Sequence, residues 1–149
     1  KEWNIHEDKI GVMGFSAGAH LAALASNCYD ELSYLPIDMH DQMPICPNFA
    51  LIIYPGFLDG DNFTVAPEIE VSKDTCPTFI VQTQDDHKLL NSSLFYYYAL
   101  KEARVSVAMH LYPTGYHGYG VRDTGHLVNE WPQRAMDWMR DKIIVKNEK

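Results

Sequence analysis

The sequence predicts an α/β protein with a mostly parallel sheet flanked by helices. Two observations carry this. Ile10-Gly11-Val12-Met13-Gly14, residues 49–54 and residues 77–83 are apolar runs with little polar alternation, as strands are when helices cover both faces of a parallel sheet. Stretches rich in helix formers lie between and after them, so strands and helices alternate along the chain. A length of 149 residues fits one domain.

The elements follow in order. The run 10–14 ends in glycine and suits a buried strand. Residues 19–25, Ala-His-Leu-Ala-Ala-Leu-Ala, are mostly strong helix formers. Residues 29–48 carry Pro36, Pro44 and Pro47 among mixed polar residues and read as a long irregular excursion. The second strand, 49–54, is closed by Pro55-Gly56; residues 56–76 read as loop, with a short helix expected near Pro67. Residues 77–83 form the third strand, 92–103 a helix, and 105–111 a fourth strand that alternates only in part. Trp131-Pro132 opens the last helix, where the missing proline N–H costs little. Met136, Met139 and Ile143 recur at spacings of three and four and predict its apolar face.

Twelve Lys+Arg against twenty Asp+Glu leave a net charge of −8. That acidic excess argues against a nucleic-acid partner, which needs a basic face for phosphates, and against an anionic membrane surface. With 46% apolar and 21% charged residues the chain is composed to fold. No apolar run approaches the roughly 20 residues that span a bilayer. Of the three cysteines, Cys28 lies in an apolar helical pattern and reads as a small buried hydrophobe. Cys46 and Cys76 each precede a proline at the mouth of a predicted strand, where a single bridge between them is one reading. There is no CxxC pair and no His/Cys spacing suited to zinc, and no metal or cofactor is expected.

Chemistry enters at Gly14-Phe15-Ser16-Ala17-Gly18, a G-x-S-x-G pattern between a predicted strand and a predicted helix. A serine on such a tight turn has strained dihedrals and close neighbours, and glycines two residues to either side leave room. The turn lifts the hydroxyl above the C-terminal edge of the sheet. It also aims the first helical N–H groups at an adjacent oxyanion, so Ala17 is the expected oxyanion donor. A serine hydroxyl needs a base, and the base needs an orienting group. In this arrangement the acid follows a strand, and Asp85 and Asp86 follow 77–83 at once. The histidine follows the next strand, and His117 does so in Gly115-Tyr116-His117-Gly118-Tyr119-Gly120, where glycines let the loop curl back. One of the two aspartates is expected to be a solvated turn residue. His20, on the helix after the serine, reads as packed or hydrogen-bonded rather than as a base. His6, His40, His110 and His126 have no chemical context, and no known ligand spacing supports a metal site built from Asp85, Asp86, His87 and His126.

At these residues the chain resembles the C-terminal part of an α/β-hydrolase of the esterase/lipase group. It is similar to acetyl-xylan-esterase-like proteins and to the dienelactone-hydrolase and prolyl-oligopeptidase relatives. The matching segments are 9–22 around the serine, 77–86 ending in Gln84-Asp85-Asp86, His110-Leu111-Tyr112-Pro113 with Gly118-Tyr119-Gly120, and Trp131-Pro132. Carried over residue by residue, the resemblance implies Ser16 as nucleophile, Asp86 as acid and His117 as base. Asp86 is preferred to Asp85 because the family acid is usually the last carboxylate before the loop descends to the next helix. Two departures stand out. Gly115-Tyr116-His117 replaces the frequent Gly-Gly-His, and His87-Lys88-Leu89-Leu90-Asn91 lacks the common Val-Pro.

The resemblance also implies that residues 1–149 form a single, partial α/β-hydrolase domain, without the N-terminal strands and the His-Gly-Gly-Gly-type loop that donates a second oxyanion N–H. Losing one such donor typically costs about 10²–10³ in rate. The first strand then becomes an apolar edge that invites pairing with a second copy. The expected function is a serine carboxylic-ester hydrolase acting on short acyl esters, such as acetylated carbohydrate. The alternative is a truncated, catalytically impaired hydrolase serving as an oligomerising or binding module. A peptidase of the prolyl-oligopeptidase type shares the triad but needs a propeller or lid.

Overall fold

The computed structural model describes residues 5–27, 34–42 and 46–144. Four strands, β1 (Gly11–Phe15), β2 (Phe49–Ile53), β3 (Thr78–Thr83) and β4 (Val107–Tyr112), form one sheet in the order β1-β2-β3-β4. Every pairing is parallel, with Gly14 opposite Ile52, Ile53 opposite Val81 and Thr83 opposite Tyr112. Among the described residues three α-helices accompany it, α1 (Ala17–Ser26), α2 (Leu90–Glu102) and α3 (Trp131–Met139), with short 3₁₀ and π turns before, between and after them.

The absence of alternation in the two central strands, β2 and β3, has a direct cause, because they are buried on both faces of the sheet. Along β2, Ala50 and Ile52 join a cluster with Ala19, Ala22 and Ala23 of α1 and Tyr96 and Leu100 of α2. Leu51 and Ile53 point the other way and join Phe79, Val81 and the α3 residues Trp131, Ala135 and Trp138. Side chains alternate across a strand, so a strand between two cores is apolar at every position. β4 is an edge strand and is only half-buried over most of its length, which is why its run alternates in part.

Several expectations shift. The helical turn in the 56–76 loop is at Asp61–Phe63, and Pro67 lies in a plain turn. Tyr54 falls just outside β2, with φ +38°. The face of α3 is set by Trp131, Ala135 and Trp138, at four- and three-residue steps, with Met139 and Ile143 packed beside it. Met136 is 45% exposed, because it lies on the solvent side of that stripe. Cys46 is disulfide-bonded whereas Cys76 is a buried free thiol, so the Cys46–Cys76 bridge is not made. Cys28 and much of the irregular stretch 29–48 lie outside the described residues; within it, Met39–Gln42 forms a 3₁₀ turn. No helix among the described residues is long and apolar enough to cross a membrane.

Candidate active site

Parallel strands that exit on one side place the loops after β1, β3 and β4 together at the C-terminal edge of the sheet. Ser16 sits on the sharp turn from β1 into α1, at φ +54° and ψ −123°. A non-glycine residue in that region is strained and has to be held there by its surroundings. Four hydrogen bonds do so: the Ser16 N–H donates to Ile53 O (3.1 Å), and Ser16 O accepts from Ala19 (3.0 Å), His20 (3.3 Å) and Gly56 (3.3 Å). The two glycines of the pattern are not equivalent. A Cβ on Gly14 would lie 2.0 Å from Gly18 O, whereas a Cβ on Gly18 would meet nothing within 4 Å among the described residues.

The Ser16 Oγ lies 2.7 Å from His117 Nε2, and His117 Nδ1 lies 2.7 Å from Asp86 Oδ2. Asp86 is 7% exposed. It starts the turn that leads into α2, its carbonyl accepting the N–H groups of Leu89 (3.2 Å) and Leu90 (3.0 Å). Asp85 does not face the imidazole. Its Oδ2 accepts the Gly115 N–H (3.0 Å) and its Oδ1 the Tyr116 N–H (2.9 Å). Burial pulls the Asp85 carboxyl upward, but these two amides and Thr83 outweigh it and hold it below the ordinary carboxylate value. The expectation that one of the two aspartates is a solvated turn residue is therefore corrected: both are engaged, because the returning loop presents its backbone to one and its imidazole to the other.

Two supports escaped the sequence reading. The Tyr54 ring packs edge-on against His117, with centroids 5.0 Å apart, and its Oη accepts the Gly120 N–H at 3.2 Å. Burial raises the Tyr54 phenol, against an opposing pull from Gly120 and Arg122. Trp131 Nε1 donates to Gly120 O at 2.8 Å, tying the histidine loop to α3. No local spacing announces either, since both join residues from distant segments. The N–H groups of Ala17 and Gly18 stand at the start of α1 beside Ser16, ahead of the first bonds of that turn, which Ala19 and His20 make to Ser16 O.

The remaining histidines lie elsewhere in hydrogen bonds, packing or solvent. His20 Nε2 is 3.5 Å from Glu68 Oε1, His126 Nδ1 is 3.2 Å from Thr114 Oγ1, and His110 packs on Phe79. His6, His40 and His87 are exposed. Among the described residues no group of three or more His, Cys, Asp or Glu is arranged to hold a metal ion.

No family model matches the chain. It is 27% identical to an acetylxylan esterase of Xylanibacter ruminicola over 99% of its own length, and spans about a third (34%) of that protein. Among solved structures, an acetyl ester-xyloside bifunctional hydrolase from Caldicellulosiruptor lactoaceticus superposes with a TM-score of 0.80 at 29% identity, covering 93% of this chain and 58% of that one. An α/β-hydrolase enzyme from a deep-sea metagenome library, at 24% identity, superposes with a TM-score of 0.72 over 95% of this chain and 57% of that one, a likeness of fold. The four-stranded parallel sheet with its flanking helices is thus part of an α/β-hydrolase fold, and the chain's resemblance in sequence is to the acetylxylan esterases.

Proposed function

We propose that the chain carries the reacting groups of a serine carboxylic-ester hydrolase, with Ser16 as nucleophile, His117 as general base and Asp86 as the acid that orients the imidazole. The observation that supports this is the continuous chain of contacts Ser16–His117–Asp86, both links 2.7 Å long. Ser16 Oγ attacks the ester carbonyl carbon while its proton passes to His117 Nε2. Asp86, accepting from Nδ1, fixes the tautomer and stabilises the imidazolium. The Ala17 N–H, reinforced by the α1 dipole, stabilises the oxyanion of the tetrahedral intermediate. Its collapse breaks the bond to the alcohol oxygen, which takes the proton from His117 and leaves an acyl ester on Ser16. Water then attacks this ester with His117 again as base, releasing the carboxylic acid and restoring the serine.

Short acyl esters of carbohydrate are the proposed substrates. This is supported by the chain's similarity to an acetylxylan esterase and to an acetyl ester-xyloside bifunctional hydrolase, and by Phe57 and Tyr116. Both are exposed aromatic residues at positive φ, one following Gly56, which bonds Ser16, and one preceding His117. On the same reading residues 1–149 are one unit of a larger α/β-hydrolase domain, and a second oxyanion donor comes from outside them. Labelling of the folded protein with a fluorophosphonate tests the proposal. Ser16 takes the label and Ser16→Ala does not, while Asp86→Asn slows turnover by about 10⁴-fold, as loss of the orienting acid does in other serine hydrolases. A folded protein that is not labelled at Ser16 overturns it.

A further inference from the structure

We propose that Asp85 is a positioning residue: its carboxylate clamps the start of the histidine loop and thereby holds the His117 imidazole between Ser16 and Asp86. This rests on the hydrolase reading above and extends it to a residue outside the triad.

The need for a clamp comes from where the sheet stops. The β3–β4 register ends at Thr83 opposite Tyr112, with one further bond from Gln84 N–H to Tyr112 O at 2.7 Å. Residues 113–116 then carry the chain from the sheet to His117 with no ladder beneath them. The His117 side chain is 34% exposed, so packing alone does not immobilise its ring. The two residues just before it are also in unusual conformations, Gly115 at φ +152° and Tyr116 at φ +58°. Such a backbone persists only where its surroundings over-determine it.

The surroundings are supplied by the end of β3. Both Asp85 oxygens are used, one on each of two successive amides, Gly115 (3.0 Å) and Tyr116 (2.9 Å). An ionised acceptor makes such bonds short and strong. The Thr83 hydroxyl donates to Tyr116 O at 2.6 Å, so Tyr116 is held at its N–H and at its C=O by side chains two residues apart. The space is closed as well: a Cβ on Gly115 would fall 2.8 Å from Val128 and 2.9 Å from Thr83. The low proton affinity of Asp85 agrees with a carboxylate that stays charged over these amides. Beyond the histidine, Tyr54 and Trp131 anchor Gly120. His117 is therefore suspended between two fixed points, and Asp85 makes the upstream one.

The test compares Asp85→Asn, Asp85→Ala and Thr83→Val with the parent chain. Asparagine keeps the shape but offers one acceptor and sets its NH₂ against a backbone N–H. Misplacing a catalytic group by an ångström can cost 10²-fold, so kcat on p-nitrophenyl acetate is expected to fall about 10–100-fold in both Asp85 variants, with KM little changed. The rate at which fluorophosphonate labels Ser16 falls by the same factor, since that step uses His117 too. Thr83→Val shows a smaller loss in the same direction. Hydrogen exchange at the Gly115 and Tyr116 amides quickens while exchange in β3 does not. The proposal is overturned if Asp85→Asn retains the parent kcat, labelling rate and exchange at these amides. The parent chain decides the hydrolase reading separately, by whether Ser16 labels at all. If it does not, the clamp is judged by exchange at Gly115 and Tyr116 and by the His117 Nδ1–H resonance. Loss of that resonance in Asp85→Asn upholds the clamp, and an unchanged signal with unchanged exchange overturns it.

Discussion

Asp85 and Asp86 are neighbours with the same side chain, yet one meets an imidazole and the other two backbone amides. Their difference is one of surroundings: both lie beyond the end of β3, where the returning loop brings two backbone amides to Asp85 and an imidazole to Asp86. Cys76 makes a similar point about surroundings. It packs against the α1–α2 side of the sheet with its N–H on Ser26 O, and burial pushes its thiol from 9.0 up to about 12. A raised value means that the folded state keeps its proton where the unfolded chain has lost it. The stabilisation is fully present below pH 9 and is lost as pH rises through about 12. The thermal midpoint is therefore expected to fall more steeply with pH between those values than in Cys76→Ala, as followed by circular dichroism. In the native protein iodoacetamide should leave Cys76 unmodified until the chain unfolds, because the thiolate is the reactive form.

At the scale of elements, the β1–α1 turn and α3 each yield a contrast. Gly14 meets the Gly18 carbonyl, and Gly18 meets open space. Gly14→Ala is expected to forbid the turn, giving a protein that loses fluorophosphonate labelling, while Gly18→Ala retains the parent midpoint. In α3, Trp138 fills the lower core against Phe49 and Phe79. Trp138→Ala should cost about 3–5 kcal/mol in denaturant unfolding, whereas Met136→Ala should stay within about 0.5 kcal/mol. Among the described residues the four strands and the three α-helices were legible from runs and periodicity, to within a residue or two at their ends, while the short 3₁₀ turns were not. The face of α3 was legible in part: Met139 and Ile143 pack with Trp131, Ala135 and Trp138 as the period implies, whereas Met136 falls on the solvent side, because the two tryptophans offer the larger apolar surface and centre the face on themselves.

Across the whole molecule, β1 is an edge of the sheet with Met13 53% exposed and Ile10 and Leu21 also exposed. An unpaired apolar edge is a template for another strand. Residues 1–149 on their own are expected to self-associate in sedimentation, and Met13→Lys to return them toward a monomer; a monomeric parent at high concentration refutes this. The order of elements, the parallel sheet and the three residue types at its C-terminal edge were readable in the amino-acid sequence. Each depends on local signals: apolar runs, turn glycines, and a serine or carboxylate at the end of a strand. The division of labour between Asp85 and Asp86, the support of His117 by Tyr54 and Trp131, and the free state of Cys76 were decided by tertiary structure alone. Each depends on which groups from separate segments the folded sheet brings to within a hydrogen bond of one another and which it keeps apart, and no local pattern encodes that distance.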